Sequence, residues 1–294
     1  MGLFHWQTTI LVCLFATLCS LSDDSVVAET RTEKEAKSLI DFSDRQNVES
    51  RRPIIVAHRG GVVSADSPEC STTAIRLAAE QGYDMVELDI QMSRDGIPIV
   101  FHDRNLKKAC GQDSSVAELS AQQLESISYV NTEDKIIRLS TALELCRRLR
   151  LGVMLDFKAG RDSESFLQSI DRLLTQHGLA NATISISGSD QVRRHLKNVR
   201  FTPTAEEMQK LRAGDSMDLD HRFWFGLPQS LKPGDIKRLK SAGALVIPAI
   251  NTFRYSIDKH MEKAAIDIQR LLKEDVYGFQ IDSVYYPLFK LDSK

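Results

Sequence analysis

The chain has no excess of either charge. Its 38 lysines and arginines face 40 aspartates and glutamates, a formal net charge of −2. That balance leaves no basic footprint for nucleic acid and no acidic tail. Cysteine is scarce: five in 294 residues, at 13, 19, 70, 110 and 146. Their spacing forms no zinc pattern, and Cys70, Cys110 and Cys146, the three in the body of the chain, are an odd number, so a monomer keeps at least one free thiol. A Cys70–Cys110 bridge stays open, because both residues follow strand ends on one rim. No Gly-rich phosphate fingerprint follows the first strand, which ranks an open doubly wound sheet behind a closed barrel. No internal repeat or low-complexity tract stands out. No hydrophobic run reaches the ~20 residues that a membrane-spanning helix needs.

What is there begins with residues 10–21, an apolar run that fits the core of a secretory signal, with Val26-Val27-Ala28 offering small residues for cleavage after Ala28. The segment before it holds His5 but no Lys or Arg, so an uncleaved membrane anchor is the alternative. The expectation is a signal over 1–28, a secreted or periplasmic protein, and no stable membrane span after cleavage. Residues 29–52 are polar and of mixed charge. They read as a linker, with a short helix near Glu33–Phe42 and no core of its own. Residues 53–290 are left for a single domain of α/β barrel size.

Within that domain strand and helix patterns alternate. Short Val- and Ile-rich runs bounded by Gly, Asp or Pro read as strands at Ile54–His58, Met85–Ile90, Gly152–Phe157, Ala182–Ser187, Val199–Phe201, Arg222–Phe225, Ala244–Ile250 and Gly278–Ile281. Capped segments of helical period separate them, among them 71–82, 140–149, 163–177, 205–213, 233–242 and 261–273. A tight Arg94-Asp95-Gly96 turn joins the second strand to an extended piece, Ile97–Phe101. Residues 103–136 look irregular, with one short helix near Ser120–Ser128. About eight alternations over some 230 residues argue for an α/β (β/α)8 barrel of the TIM type.

The groups that carry chemistry lie at the strand ends, where such barrels build their sites. Glu87 and Asp89 are two apart on a strand and so face one side. Two inward carboxylates repel unless a cation sits between them, which suggests Mg2+ or Ca2+. The bland reading, a pair of surface carboxylates, fits poorly beside Val86, Leu88 and Ile90. Asp156 and Lys158 repeat the spacing. Asp156 could be a third metal carboxylate and Lys158 could meet an anion, although a plain Asp–Lys ion pair would look the same in sequence. His58 and His102 each end a strand. Two such imidazoles beside a carboxylate cluster favour a general acid and base, with metal ligation as the runner-up. Arg59 offers a planar fork for phosphate oxygens. Together they read as machinery for displacement at a phosphodiester.

The run Ala57-His58-Arg59-Gly60-Gly61, Ser67-Pro68-Glu69, Gly82-Tyr83-Asp84, Glu87-Leu88-Asp89, Ser93-Arg94-Asp95-Gly96 and Val100-Phe101-His102-Asp103 resembles the glycerophosphodiester phosphodiesterase family. The likeness continues more weakly through Leu155–Lys158, Ile247–Asn251 and Gly278–Asp282. It implies a TIM-barrel hydrolase that cleaves glycerophosphodiesters to sn-glycerol 3-phosphate and an alcohol. It further implies His58 and His102 as the acid–base pair, and Glu87, Asp89 and Asp156 as holders of one divalent cation. Arg59 and Lys158 would be phosphate ligands, and Glu69 would lie near the metal and the glycerol hydroxyls. In the scheme that the resemblance brings, a substrate hydroxyl attacks phosphorus and water opens the cyclic phosphate.

Three positions depart from the family pattern. Cys70 stands where Asn follows Pro-Glu, Asp156 where Glu is usual, and Pro248-Ala249-Ile250-Asn251 where an aromatic residue opens the segment. Two other readings share the site. One is a phospholipase D-like lyase that makes cyclic phosphates from lysolipids or sphingolipids, for which Phe223, Trp224, Phe225, Tyr285 and Tyr286 would be rim aromatics. The other is a non-catalytic binding protein, against which the intact His58, His102, Glu87 and Asp89 argue.

Overall fold

The computed structural model describes residues 38–158, 163–186 and 188–289. The expected signal and the first part of the expected linker lie outside them. Among the described residues no helix is long and apolar enough to cross a membrane.

Eleven strands build the frame: β1 Ile54–Ala57, β2 Met85–Met92, β3 Pro98–Val100, β4 Ile137–Arg138, β5 Gly152–Phe157, β6 Thr183–Ser185, β7 Arg200–Phe201, β8 Phe223–Trp224, β9 Leu245–Val246, β10 Ala249–Ile250 and β11 Gly278–Ile281. The parallel path runs β10-β11-β1-β2-β5-β6-β7. A parallel bridge between Phe201 and Arg222 joins β7 to the start of β8, and β8 pairs with β9. β9 and β10 occupy one position in the ring. Ala249 N–H donates to Gly226 on the β8 side, and Gln280 N–H donates to the Pro248 carbonyl from the β11 side. The ring therefore closes as the (β/α)8 barrel that the alternation predicts. The expected strand Ala244–Ile250 is split because Pro248 has no N–H to donate to the ladder.

Barrel strands are buried on both faces, so β1 reads as a continuous apolar run, while β2 is buried over Met85–Ile90 with Glu87 and Asp89 alternating among its apolar residues. β3 and β4 leave the ring as an antiparallel excursion from β2. Residues 103–136 between them are less irregular than expected. They carry helices at Lys107–Cys110 and Ala121–Glu125 and a small core of their own around Phe101, Leu106, Val116, Leu124 and Tyr129.

The described end of the expected linker is part of the fold. Ile40, Phe42 and Val48 are buried in the main core. Phe42 N–H bonds the Asn181 carbonyl at 2.8 Å, and Arg51 pairs with Asp84 at 3.5 Å with both side chains buried. The helix expected near 33–42 is not helical over 38–42. One forms instead at Arg45–Glu49, where the Asp44 carboxylate accepts from the Gln46 and Asn47 N–H groups.

Candidate active site

β1 ends in a turn that delivers His58 and Arg59. His58 N–H continues the ladder to the Ile281 carbonyl at 3.0 Å. The chain then reverses through Arg59, Gly60 and Gly61, all at positive φ. A Cβ on Gly60 would stand 2.6 Å from the Cα of Cys70, and one on Gly61 would stand 2.1 Å from the Ala74 carbonyl oxygen. Only glycine fits there, which is the physical content of the Gly-Gly pair. Glu87 clamps the turn twice: its Oε2 accepts from Arg59 N–H at 2.7 Å, and its carbonyl accepts from Gly60 N–H at 2.6 Å.

On β2 and β5 the register sets Asp89 opposite Asp156. Oxygen atoms of Glu87, Asp89 and Asp156 all lie within 4.8 Å of one another, and the first two side chains are buried. Burial first, then the charges of Asp89 and Asp156, push the Glu87 carboxyl well above the usual range. Lys158 does not stand apart from this cluster. Its Nζ lies 2.5 Å from Asp89 and 2.6 Å from Asp156. Three carboxylates with one ammonium among them form an oxygen-only donor set that still needs positive charge, and this fits a hard divalent cation. Cys70 is buried behind them, and its Sγ donates to Asp89 Oδ2 at 3.4 Å. Burial, then Asp89 and Glu87, push its thiol up, so it stays a donor. Cys70, Cys110 and Cys146 are all free, and the Cys70–Cys110 bridge left open in sequence is not formed.

Each histidine is held at Nδ1 by a carboxylate. His58 Nδ1 lies 2.5 Å from Asp282 Oδ1, and His102 Nδ1 lies 2.7 Å from Asp103 Oδ1. Asn251 Nδ2 is a further neighbour of His58 Nδ1 at 3.1 Å. Burial opposes the charge on Asp282, but the His58 hydrogen bond and charge, with the Thr252 N–H and hydroxyl, outweigh it and hold the carboxyl at about 2. Glu69 links the two halves: Oε2 accepts from Arg59 Nη1 at 2.7 Å, and Oε1 lies 3.8 Å from His102 Nδ1. Seven of the eight residues singled out in sequence are therefore linked at the strand ends, with Arg59 and Lys158 paired to carboxylates, and His58, bonded to Asp282 and Asn251, lines one cavity with Arg59 and Glu69. Sequence reasoning gave no role to Asp282, Asn251 or Asp103. Asp282 and Asn251 each follow a strand end, as His58 does, and that placement was the available signal.

A cavity of about 320 Å³ opens over His58, Arg59, Glu69 and Asp282, with Val63, Phe253 and Val284 among its other walls. The aromatics expected at the rim are elsewhere. Phe223, Trp224 and Tyr285 are buried, Phe225 and Tyr286 pack against the core, and Tyr286 stacks on Tyr83. Tyr285 lies edge-on to Tyr255 and His260.

A family model for the glycerophosphoryl diester phosphodiesterase family matches residues 58–262. The chain belongs to that family. Glycerophosphodiester phosphodiesterase 1 of human is 32% identical over 111 residues, 35% of this chain and 33% of the relative, and the mouse protein is 31% identical over 118 residues, 37% and 35%. The matched stretch thus spans about a third of those relatives. Among solved structures, an Oleispira antarctica phosphodiesterase in complex with the product sn-glycerol-3-phosphate superposes with a TM-score of 0.63 at 19% identity, over 83% of this chain and 99% of that one. A Parabacteroides distasonis glycerophosphoryl diester phosphodiesterase gives 0.65 at 16% identity, over 87% and 93%. At those identities the likeness shows the barrel. In this member of the glycerophosphoryl diester phosphodiesterase family, His102, Glu69, Arg59 and the Glu87–Asp89 pair are linked at the strand ends, and His58 lines the cavity beside them.

Proposed function

We propose that the protein is a phosphoric diester hydrolase that cleaves glycerophosphodiesters to sn-glycerol 3-phosphate and an alcohol. The observation that carries this is the pair of carboxylate-held histidines, with Arg59 and Glu69 between them at the cavity and three clustered acids beside them. Asp282 and Asp103 hold Nδ1–H of His58 and His102, which leaves each Nε2 free for proton transfer. One imidazole takes the proton from the attacking hydroxyl, and the other gives a proton to the departing alcohol oxygen. Glu69 and Arg59 face the cavity, where the guanidinium can exchange its carboxylate partner for phosphate oxygens. Glu87, Asp89 and Asp156 would hold one divalent cation, Mg2+ or Ca2+. When bound, the cation would supply charge stabilisation at the phosphoryl oxygens. Lys158, held by Asp89 and Asp156, would then be free to serve the phosphate.

The test is turnover of glycerophosphocholine coupled to detection of sn-glycerol 3-phosphate, with and without EDTA. Release that EDTA abolishes and Mg2+ or Ca2+ restores supports the reading. Release undiminished in EDTA removes the cation from it. No release from any glycerophosphodiester overturns it.

A further inference from the structure

Glu87 and Asp89 are not the last side chains on their face of β2. Period two continues to Gln91. Its carboxamide lies against the turn that carries His102. The β2–β3 ladder ends where Phe101 N–H donates to the Asp89 carbonyl at 3.0 Å. The chain then leaves the sheet, and the carbonyls of residues 101–103 lie beyond the ladder. Gln91 Nε2 takes them up. It donates to the Phe101 carbonyl at 2.6 Å and to the Asp103 carbonyl at 2.8 Å, and the His102 carbonyl oxygen stands 3.4 Å away. A carboxamide has two N–H donors, so the two short bonds use both. The surroundings also fix which way the amide points, because its oxygen in that place would meet only acceptors.

These bonds matter because of what the turn carries. His102 Nδ1 is held by Asp103 Oδ1 at 2.7 Å, a bond between sequence neighbours. Their side chains are 22% and 30% exposed, so packing alone does not set the imidazole. Its direction depends on where the backbone of 102 and 103 is held. Phe101, buried in the small core, anchors the start of the turn. Gln91 anchors the rest. One face of β2 thus serves both histidines. Glu87 clamps the Arg59–Gly60 turn next to His58, and Gln91, four residues further on, clamps the turn around His102. A strand between the two turns fixes the separation of the imidazoles, which an acid and a base acting at one phosphorus require.

We propose that Gln91 is a positioning residue for the acid–base pair: its carboxamide fixes the Phe101–Asp103 backbone, and through it the direction and tautomer of His102. This rests on the reaction proposed above, in which His102 Nε2 moves a proton. Gln91 is not among the residues that line the cavity, nor among the three clustered acids. Its loss should therefore slow proton transfer and leave substrate binding alone. A glutamine that only satisfied a loop would weaken the fold when lost, and any effect on turnover would be independent of His102.

The experiment is a double-mutant cycle on the full chain. Gln91→Met keeps the length of the side chain and removes both donors. Its kcat on glycerophosphocholine should fall roughly 10- to 100-fold, the scale of an ångström of misplacement, with KM within about twofold of wild type. In the His102→Ala background the same change should cost no more than about twofold, because the group it acts through is gone. Long-range 1H–15N spectra of the imidazoles, at about pH 8 and so above their ordinary titration, report the tautomers without turnover. Gln91→Met should lower the Nδ1–H share of His102 and leave that of His58 unchanged. A kcat equal to wild type in Gln91→Met, or a loss that multiplies with that of His102→Ala, overturns the positioning role and leaves the reaction standing. A tautomer change confined to His102, in a protein that hydrolyses no diester, keeps the role and overturns the reaction. If Gln91→Met does not fold, hydrogen exchange in the unmodified chain decides. The Gln91 side-chain amide should exchange at least ~tenfold more slowly than that of exposed Gln122, and exchange as fast as Gln122 overturns the role.

Discussion

In the proposed reaction His58 and His102 carry the proton transfers, and Asp282 and Asp103 decide which nitrogen they use. His58→Ala or His102→Ala should lower turnover at least ~10²-fold, the low end for acid–base catalysis, measured as kcat on glycerophosphocholine. Full activity in either variant would remove that residue from the reaction. Asp282→Asn tests the hidden partner through stability. The folded Asp282 carboxyl sits at about 2, below its ordinary value, so its contribution is present above about pH 4 and is lost as pH falls through about 2. The difference is worth roughly 2 kcal/mol at 1.36 kcal/mol per unit. The urea midpoint of Asp282→Asn should fall below wild type at pH 7, and the gap should narrow at about pH 3. A gap that does not change with pH would contradict the assignment. At this scale the sequence was half legible. Period two along β2 is enough to put Glu87 and Asp89 on one face. Asp282 meets His58 across 224 positions of chain, where β11 lies beside β1, and no local pattern reports a contact made by barrel closure.

At the scale of elements, the same contrast decides what could be read. The helix at Ala205–Ala213 and the strand at Gly278–Ile281 have the bounds that period and caps predict. Thr204 caps that helix and closes a box with Glu207, a signal contained in four residues. Residues 38–52 misled because Leu39, Ile40, Phe42 and Val48 are few among polar and charged neighbours, too short a run to register as a strand or a helix. Their burial comes from partners far along the chain. Ile40 packs so close to Gly152 that a Cβ there would meet it at 2.5 Å, and Phe42 lies under Arg200, whose guanidinium bonds the Phe42 carbonyl at 2.6 Å. Phe42→Ala should therefore cost about 3–5 kcal/mol, as a core substitution does and a linker substitution does not. The check is a urea midpoint that falls with an unchanged m-value. A midpoint within error of wild type would return this segment to the linker.

The whole molecule concentrates unbalanced negative charge at one end of its barrel. Glu87, Asp89 and Asp156 meet there because parallel β2 and β5 are in register, and Lys158 supplies the ammonium nearest to them. Folding brings these groups out of water and against one another, and the raised carboxyl of Glu87 is the local sign of that cost. A cation that binds the folded trio and not the unfolded chain must then stabilise the entire fold. At a hundredfold excess over its dissociation constant the gain is about 2.7 kcal/mol. For a domain of this size each kcal/mol is worth ~2–4 °C, so Mg2+ or Ca2+ should raise Tm by roughly 5–10 °C. Glu87→Gln combined with Asp156→Asn should abolish the rise while also relieving the repulsion, so the variant without cation should melt no lower than the wild type in EDTA. That second expectation separates a site built for a cation from a buried ion pair centred on Lys158. If Lys158 alone balanced the trio, neutralising two carboxylates would leave its ammonium with Asp89 as its one ion-pair partner and lower Tm in EDTA. Scanning calorimetry of both proteins, with and without the ion, distinguishes the two without any measurement of turnover.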